Sequence, residues 1–189
     1  IKKEFESVGN LNGFYQEYMN IAQSPDNAPF KPEWIQLHHY DYERINGQNC
    51  LVREVGDEKK IIPVDVYCSV DPASSLSARA DFFVVATIAV DNDNNKYVVD
   101  IYRNRISPAE QPKVLIDTFK KYRPRRMKIE TVGYQEALRV AVREMMSDEN
   151  IYIPGLESGV KPRNSKRERL LSLVPMFARK LFYFRPEDI

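Results

Sequence analysis

Two acidic residues in this sequence directly follow apolar segments and could bind a cation together. Asp71 comes after the alternating residues 64–70, and Glu130 comes after residues 126–129. If the two segments are neighbouring strands of one sheet, both carboxylates lie at the crevice where the strands end. Two isolated carboxylates would repel each other there, and a divalent cation would remove that repulsion. Oxygen ligands favour Mg²⁺ or Mn²⁺ over zinc, and a pair of such ions about 4 Å apart is suited to phosphodiester cleavage.

Each acidic residue also has a purely structural explanation. Asp71 precedes a proline, and Asp-Pro is typical of a turn at a strand end. Glu130 could form a surface ion pair with Lys128 or Arg126. Asp81 offers a third carboxylate before the next apolar segment, where a turn or an edge charge explains it as well.

Alternation and helix-breaking residues predict the elements that would position these acids. The apolar run at 81–90 is typical of a central strand buried on both faces. Six strands are predicted, at 64–71, 81–90, 97–106, 126–130, 151–156 and 181–184. Three helices are predicted, at 107–122, 134–146 and 165–180. The first helix would begin with Ser107 as its N-cap and Pro108 behind it.

The order of these elements indicates an α/β fold. Three strands joined by short loops come first and are expected to be antiparallel, and helices then alternate with strands. This order predicts one mixed sheet flanked by helices.

The length and composition suit one soluble domain with an extension. The chain has 189 residues, and residues 1–60 read as a linker-like arm because they combine a proline-rich stretch with short polar segments. Residues 61–189 read as the domain. No apolar run approaches the roughly 18 residues of a membrane span. Cys50 and Cys68 form neither a metal motif nor a disulfide framework, which favours a reducing cytoplasm.

Positive charge is concentrated in two segments, although the net charge is only +1. Residues 120–128 carry six basic residues and no acidic one, and residues 161–185 carry eight basic residues and one acidic one. Such patches are compatible with a polyanion-binding site. They are equally compatible with a solvated surface.

Three segments in this order resemble the nuclease domain of the large terminase subunit of tailed bacteriophages. They are VDPASSLSARADFFVVATIAV (70–90), IETVGYQEAL (129–138) and SKRERLLSLVPMFARKLFYF (165–184). The resemblance covers roughly residues 60–189, and EFESVGNLNGFYQEYMN resembles the segment that leaves the ATPase domain of that family. It implies a ribonuclease H-like fold. It also implies a metal-dependent endonuclease of low sequence specificity that cuts concatemeric viral DNA during genome packaging.

The resemblance also implies a set of metal ligands. By position, Asp71 matches the first metal-binding aspartate and Glu130 the second acid, so that they would hold one or two Mg²⁺ or Mn²⁺ ions. Asp81 matches an auxiliary acid near the first. The third catalytic aspartate of the family is expected beyond Ile189, because Asp188 comes too early.

Contact with the DNA backbone is expected from basic residues in the two patches. Lys166 and Arg167 begin the third predicted helix, where the family carries basic residues near the DNA path. A solvated helix face explains these two residues equally well. Arg163 and Lys128 belong to the same patches and are expected to bind phosphates without reading bases.

The implied partners are those of a DNA-packaging motor. They are double-stranded DNA, the portal protein, the small terminase subunit and the ATPase domain of the same parent chain, with no membrane. GxxxxGK[ST] does not occur in the sequence, so the ATPase domain is expected upstream. The implied location is the cytoplasm of the infected bacterial host, with transient binding at the procapsid portal.

Two alternatives remain open from the residues. One is another ribonuclease H-like nuclease, such as a junction resolvase or a transposase-like enzyme. The other is a non-catalytic module that holds DNA or a partner protein.

Overall fold

Nine β-strands form two sheets in the part of the chain that the structure describes. A computed structural model describes residue 3 and residues 29–73, 81–130, 135–156 and 164–189. The strands are β1 (Gln36–Leu37), β2 (Asp41–Ile45), β3 (Gln48–Val55), β4 (Glu58–Pro63), β5 (Asp65–Asp71), β6 (Phe83–Val90), β7 (Lys96–Asn104), β8 (Arg126–Ile129) and β9 (Phe182–Phe184). The α-helices are α1 (Gln111–Tyr122), α2 (Gln135–Asp148), α3 (Lys166–Leu171) and α4 (Val174–Ala178). Short 3₁₀ helices cover Pro32–Trp34 and Pro186–Asp188.

The larger sheet has six strands in the order β1-β9-β7-β6-β5-β8. β5, β6 and β7 form an antiparallel meander, and β8 is parallel to β5. β9 is parallel to both β7 and β1 at the opposite edge. The predicted mixed α/β sheet is therefore confirmed, with three antiparallel strands first.

One face of this sheet contains the core. Val66, Cys68 and Val70 of β5 are buried on that face, whereas the residues between them are partly or fully exposed. The apolar run of β6 had predicted a central strand buried on both faces. The strand is central, but its residues are alternately buried and half-buried, so only one face is fully covered. Side chains of α1 and α2 cover the buried face, among them Leu115, Ile116, Phe119, Leu138 and Val142. None of the helices in the described ranges is long and apolar enough to span a bilayer.

The first helix begins later than predicted. Ser107 donates from its backbone N–H and its hydroxyl to Glu110 Oε2, at 2.8 Å and 2.7 Å. These bonds hold residues 108–110 in a turn, and the helix begins at Gln111 with a proline in its first turn. The helix ends where predicted, because Arg123 adopts the left-handed conformation (φ 44°) just before Pro124.

Residues 151–156 do not form the predicted strand. Pro154 has no N–H to donate, and Gly155 has a φ of +96°, which interrupts an extended segment. The segment still runs beside β8, since Met127 donates its N–H to the Pro154 carbonyl at 2.8 Å.

The predicted helix at 165–180 is divided into α3 and α4. Ser165 and Glu168 form a capping box that begins α3. Pro175 cannot donate the backbone hydrogen bond that would continue the helix, so α3 ends at Leu171 and α4 begins at Val174.

A second, three-stranded antiparallel sheet is formed by β2, β3 and β4. It packs on the far end of the core, where Tyr42 donates its hydroxyl to the carbonyl of Tyr122 at 2.8 Å. β4 continues across residue 60 to Pro63. The division into an arm at 1–60 and a domain at 61–189 stays a prediction, and residues 1–2 and 4–28 of the arm lie outside the described residues.

His38 fixes the β1 end of the larger sheet. His38 donates its backbone N–H to the Phe184 carbonyl at 2.9 Å. Its ring Nε2 lies 2.9 Å from the carbonyl oxygen of Val98 in β7. Tyr40 donates its backbone N–H to His38 Nδ1 at 3.3 Å, so the ring is neutral with the proton on Nε2. Burial lowers the pKa of His38, and this effect outweighs the opposite effect of the bond to Val98.

We therefore expect an acid-dependent loss of stability that involves His38. A folded-state pKa below 6.5 means that the unfolded chain binds the proton more readily. The stability that neutral His38 contributes is fully present above about pH 6.5. It is lost as the pH falls from there through the lower pKa of the folded state. Urea unfolding between pH 7.5 and pH 5 should show a shallower pH dependence for His38→Gln than for the wild type. The exposed neighbour provides a control, since His39→Gln should keep the wild-type slope.

Gly155 gives a second prediction. A Cβ at this position would lie 2.8 Å from the Met127 carbonyl oxygen, in backbone that also has a positive φ. Gly155→Ala should lower the free energy of unfolding by about 2–4 kcal/mol, measured by urea unfolding. Gly56 has a φ of +64°, and a Cβ added there would meet no atom within 4 Å, so Gly56→Ala should cost only about 1 kcal/mol. If both variants lost the same free energy of unfolding, the close approach of residue 155 to β8 would add nothing to the cost of the substitution.

Candidate metal and DNA site

Asp71 and Glu130 lie side by side at one end of the larger sheet. The parallel register of β5 and β8 pairs Val70 with Ile129, and the two acids are the next residues on each strand. Glu130 donates its N–H to the Val70 carbonyl at 3.1 Å, so the pairing continues to the acids. Because Val70 and Ile129 point into the core, Asp71 and Glu130 share the opposite face. The condition stated for the two acids, that their strands are neighbours in one sheet, is therefore met.

A buried glutamine anchors the backbone just after Asp71. Gln111, at the start of α1, is fully buried and donates from Nε2 to the Ala73 carbonyl at 2.7 Å. Its Oε1 is buried without a hydrogen-bond partner among the described residues. The bond fixes the segment that leaves β5 and therefore restrains the position of Asp71.

An arginine from α3 occupies the other side of Glu130. Arg169 Nη1 lies 3.1 Å from Glu130 Oε1, and their side chains are 38% and 28% exposed. Arg169 Nε is buried and has no partner in the described part of the chain. The capping box formed by Ser165 and Glu168 fixes the start of α3, the helix that carries Arg169. The hydrogen bonds that Ser165 donates to the exposed Glu168 carboxylate lower the pKa of that group.

The predicted auxiliary ligand, Asp81, lies outside the strand pairing that joins Asp71 and Glu130. Asp81 is exposed and lies two residues before β6, at the same end of the sheet as Asp71. The described residues contain no group of three or more His, Cys, Asp or Glu side chains that could hold a metal. Asp188 instead accepts from Arg185 at 2.8 Å and 2.9 Å, which lowers the pKa of its carboxyl.

The predicted DNA-contacting residues fall into three cases. Lys128 is half-buried and lies two residues before Glu130, on the same face of the sheet. Arg167 is exposed on α3. Lys166 begins α3, although its side chain lies outside the described part, and Arg163 lies wholly outside it.

Sequence reasoning missed an arginine pair at the end of β7, formed by Arg103 and by Arg105 just after the strand. The guanidinium carbons of Arg103 and Arg105 lie 3.4 Å and 4.1 Å from the centroid of the Phe82 ring. The sequence signal was an Arg-x-Arg at the end of a strand whose antiparallel partner begins with an aromatic residue. Gln111 and Arg169 carried no signal, because each acts on a segment distant in sequence.

The two carboxylates are oxygen donors on one face of the sheet. Asp71 and Glu130 end neighbouring strands, and Glu130 forms an ion pair with Arg169. Their oxygens fit a hard divalent ion such as Mg²⁺ or Mn²⁺, and two carboxylates leave several coordination positions for water or substrate.

Comparisons with known proteins point to one family. The family model described as the terminase RNase H-like domain matches residues 68–187. The large terminase nuclease from thermophilic phage G20c is 15% identical and has a TM-score of 0.47, over 81% of this chain and 71% of that chain. The structure of that nuclease with bound magnesium is 16% identical and has a TM-score of 0.49, over 81% of this chain and 70% of that chain. The P22 large terminase nuclease domain is 12% identical with a TM-score of 0.47, over 66% of this chain and 62% of that chain. No curated protein matches the sequence.

The contact between Arg169 and Glu130 predicts competition with a divalent ion. In Arg169→Gln, the free energy of unfolding without metal should fall by less than about 1 kcal/mol, because the pair is partly exposed. Calorimetric titration with Ca²⁺ should show binding up to about fivefold tighter, since the competing charge is gone. Arg167→Gln is the matched control and should change neither quantity. Weaker Ca²⁺ binding by Arg169→Gln would mean instead that the arginine positions Glu130 for the ion.

Proposed function

The chain belongs to the family of terminase RNase H-like domains and has the RNase H-like fold of that family, and on this premise we propose that it is a metal-dependent DNA endonuclease. It would cut concatemeric viral DNA during genome packaging, with low sequence specificity. The observation that supports this most directly is the register of β5 and β8, which places Asp71 beside Glu130 on one face.

Asp71 and Glu130 are the residues that would hold one or two Mg²⁺ or Mn²⁺ ions. Asp81 is proposed as an auxiliary ligand, and a third aspartate is proposed beyond Ile189. When bound, the ions would supply Lewis-acid stabilisation and an activated water for phosphodiester hydrolysis. Gln111 would keep Asp71 in position through its bond to the Ala73 carbonyl.

Basic residues would hold the DNA backbone against this site. Lys128 lies on the same face as Glu130, and Arg167 is exposed on the helix that carries Arg169. Together with Lys166 and Arg163 they would neutralise phosphates, so that affinity falls steeply with salt and depends little on sequence.

The proposed setting is a DNA-packaging motor. Double-stranded DNA is the substrate, and the ATPase domain of the parent chain, the portal protein and the small terminase subunit are the proposed partners. Residues 1–60 would connect the ATPase domain to the nuclease domain at 61–189. The proposed location is the cytoplasm of the infected bacterial host, transiently at the procapsid portal.

Plasmid cleavage tests the nuclease directly. A chain that continues past Ile189 should nick supercoiled plasmid with Mn²⁺ or Mg²⁺ and not with EDTA. Asp71→Asn and Glu130→Gln should each reduce the rate by at least about a hundredfold, because each removes a charged ligand. Asp57→Asn, an exposed acid in the turn between β3 and β4, is the matched control and should cleave at the wild-type rate.

Three results would contradict the proposal. Cleavage by both carboxylate variants at the wild-type rate would show that these acids are structural. DNA binding without any metal-dependent cleavage would favour the non-catalytic module, and strong preference for branched DNA would favour a resolvase-like enzyme.

A further inference from the structure

A row of side chains crosses the larger sheet from the carboxylates to β7. Asp71 of β5 pairs with Val84 of β6, and Val84 pairs with Arg103 of β7. Residues directly opposite each other on neighbouring strands project to the same face, so Arg103 shares the face of Asp71 and Glu130. Strands are about 4.8 Å apart, so the backbone of Arg103 lies about 10 Å from that of Asp71.

Phe82 holds two positive charges at the end of this row. Its ring is half-buried, and the guanidinium carbons of the exposed Arg103 and Arg105 lie 3.4 Å and 4.1 Å from its centroid. A guanidinium that stacks on an aromatic ring keeps its N–H edge available for hydrogen bonds, and its planar fork matches phosphate oxygens.

Arg103 is poorly explained as a structural residue alone. Its exposed guanidinium and that of Arg105 both lie against the Phe82 ring. Among the described residues, Arg103 forms no ion pair with an acidic side chain, whereas Arg125, Arg169 and Arg185 do. An external polyanion would supply Arg103 with an opposite charge.

Positive charge therefore lies at two places on the face that carries the carboxylates. Lys128 lies two residues before Glu130 on the edge strand β8, and Arg103 at the end of β7 and Arg105 just after it lie two strands away from Asp71. Over about 10 Å of helix axis, one strand of duplex DNA carries about three phosphates. A backbone with one phosphate at the carboxylates would thus place another beside β7.

We propose that Phe82, Arg103 and Arg105 form a contact surface for the backbone of double-stranded DNA, on the β7 side of the carboxylates. This surface deepens the proposed function and rests on it for the identity of the polyanion. It fixes the direction of the DNA, which crosses the strands β8, β5, β6 and β7 on the face opposite the core. An acidic protein is the other class of partner that such charges could attract.

The test is DNA binding without cleavage. Fluorescence anisotropy with a labelled 30-base-pair duplex in EDTA, over a range of KCl concentrations, gives the Kd and its salt dependence. The double variant Arg103→Gln, Arg105→Gln should raise Kd about ten- to a hundredfold near 0.1 M salt and reduce the slope of log K against log salt by about two. Phe82→Leu keeps both charges, so its Kd should rise by only a few-fold with the slope unchanged.

A matched control exists on the smaller sheet. Arg53 and Lys60 are exposed, lie opposite each other on β3 and β4, and Lys60 Nζ lies 5.7 Å from the Tyr40 ring centroid. The double variant Arg53→Gln, Lys60→Gln should leave Kd and slope unchanged. Unfolding curves of all variants should match the wild type, which excludes a loss of fold as the cause.

The outcomes separate this surface from the nuclease itself. Wild-type Kd and slope in the Arg103 and Arg105 double variant would overturn the surface, even if cleavage requires Asp71 and Glu130. Lost DNA binding in that variant, combined with no cleavage by any chain, would support the surface and overturn the nuclease. The same assay with labelled polyglutamate tests an acidic protein as the partner. If the double variant loses polyglutamate binding but keeps its DNA binding, the DNA surface is overturned and an acidic protein is assigned instead.

Discussion

The parallel pairing of β5 with β8 is the constraint on which the site depends. Asp71 and Glu130 are far apart in sequence, and they meet only because Val70 and Ile129 are buried in register on the core face. A shift of one residue on either strand would turn its acid into the core and its apolar residue toward solvent. Packing of α1 and α2 against the buried face therefore determines the chemistry available on the other face.

Charge compensation is the second theme of the polar face. Two neighbouring carboxylates are stable only with positive charge nearby, and the fold supplies it from separate elements. Arg169 reaches Glu130 from α3, and Lys128 comes from the same strand as Glu130. Both cations lie outside the buried core, since Arg169 is partly exposed and Lys128 is half-buried on the polar face.

Much of this arrangement could be predicted from the sequence, and the limits have physical causes. β5 and β8 are evident from the alternation of apolar and polar residues, and β6 from its continuous apolar run. The ends of β5 and β8 also identify Asp71 and Glu130. The contacts of Gln111 and Arg169 were not predictable, because each joins segments that only the tertiary fold brings together. The predicted strand at 151–156 failed for a local reason, since a proline and a glycine with positive φ outweigh three apolar residues.

The position of His38 has a mechanical consequence. The two-residue strand β1 lies at the edge of the larger sheet opposite β8, and the His38 ring reaches past β9 to the Val98 carbonyl of β7. Together with the backbone bond from His38 to Phe184, this contact attaches the short edge strand to β9 and β7 at once. β8 lies at the far edge, and the β5–β8 pair is separated from β7 by β6. The attachment of the N-terminal strand and the pairing that places the two carboxylates are thus separate sets of hydrogen bonds within one sheet.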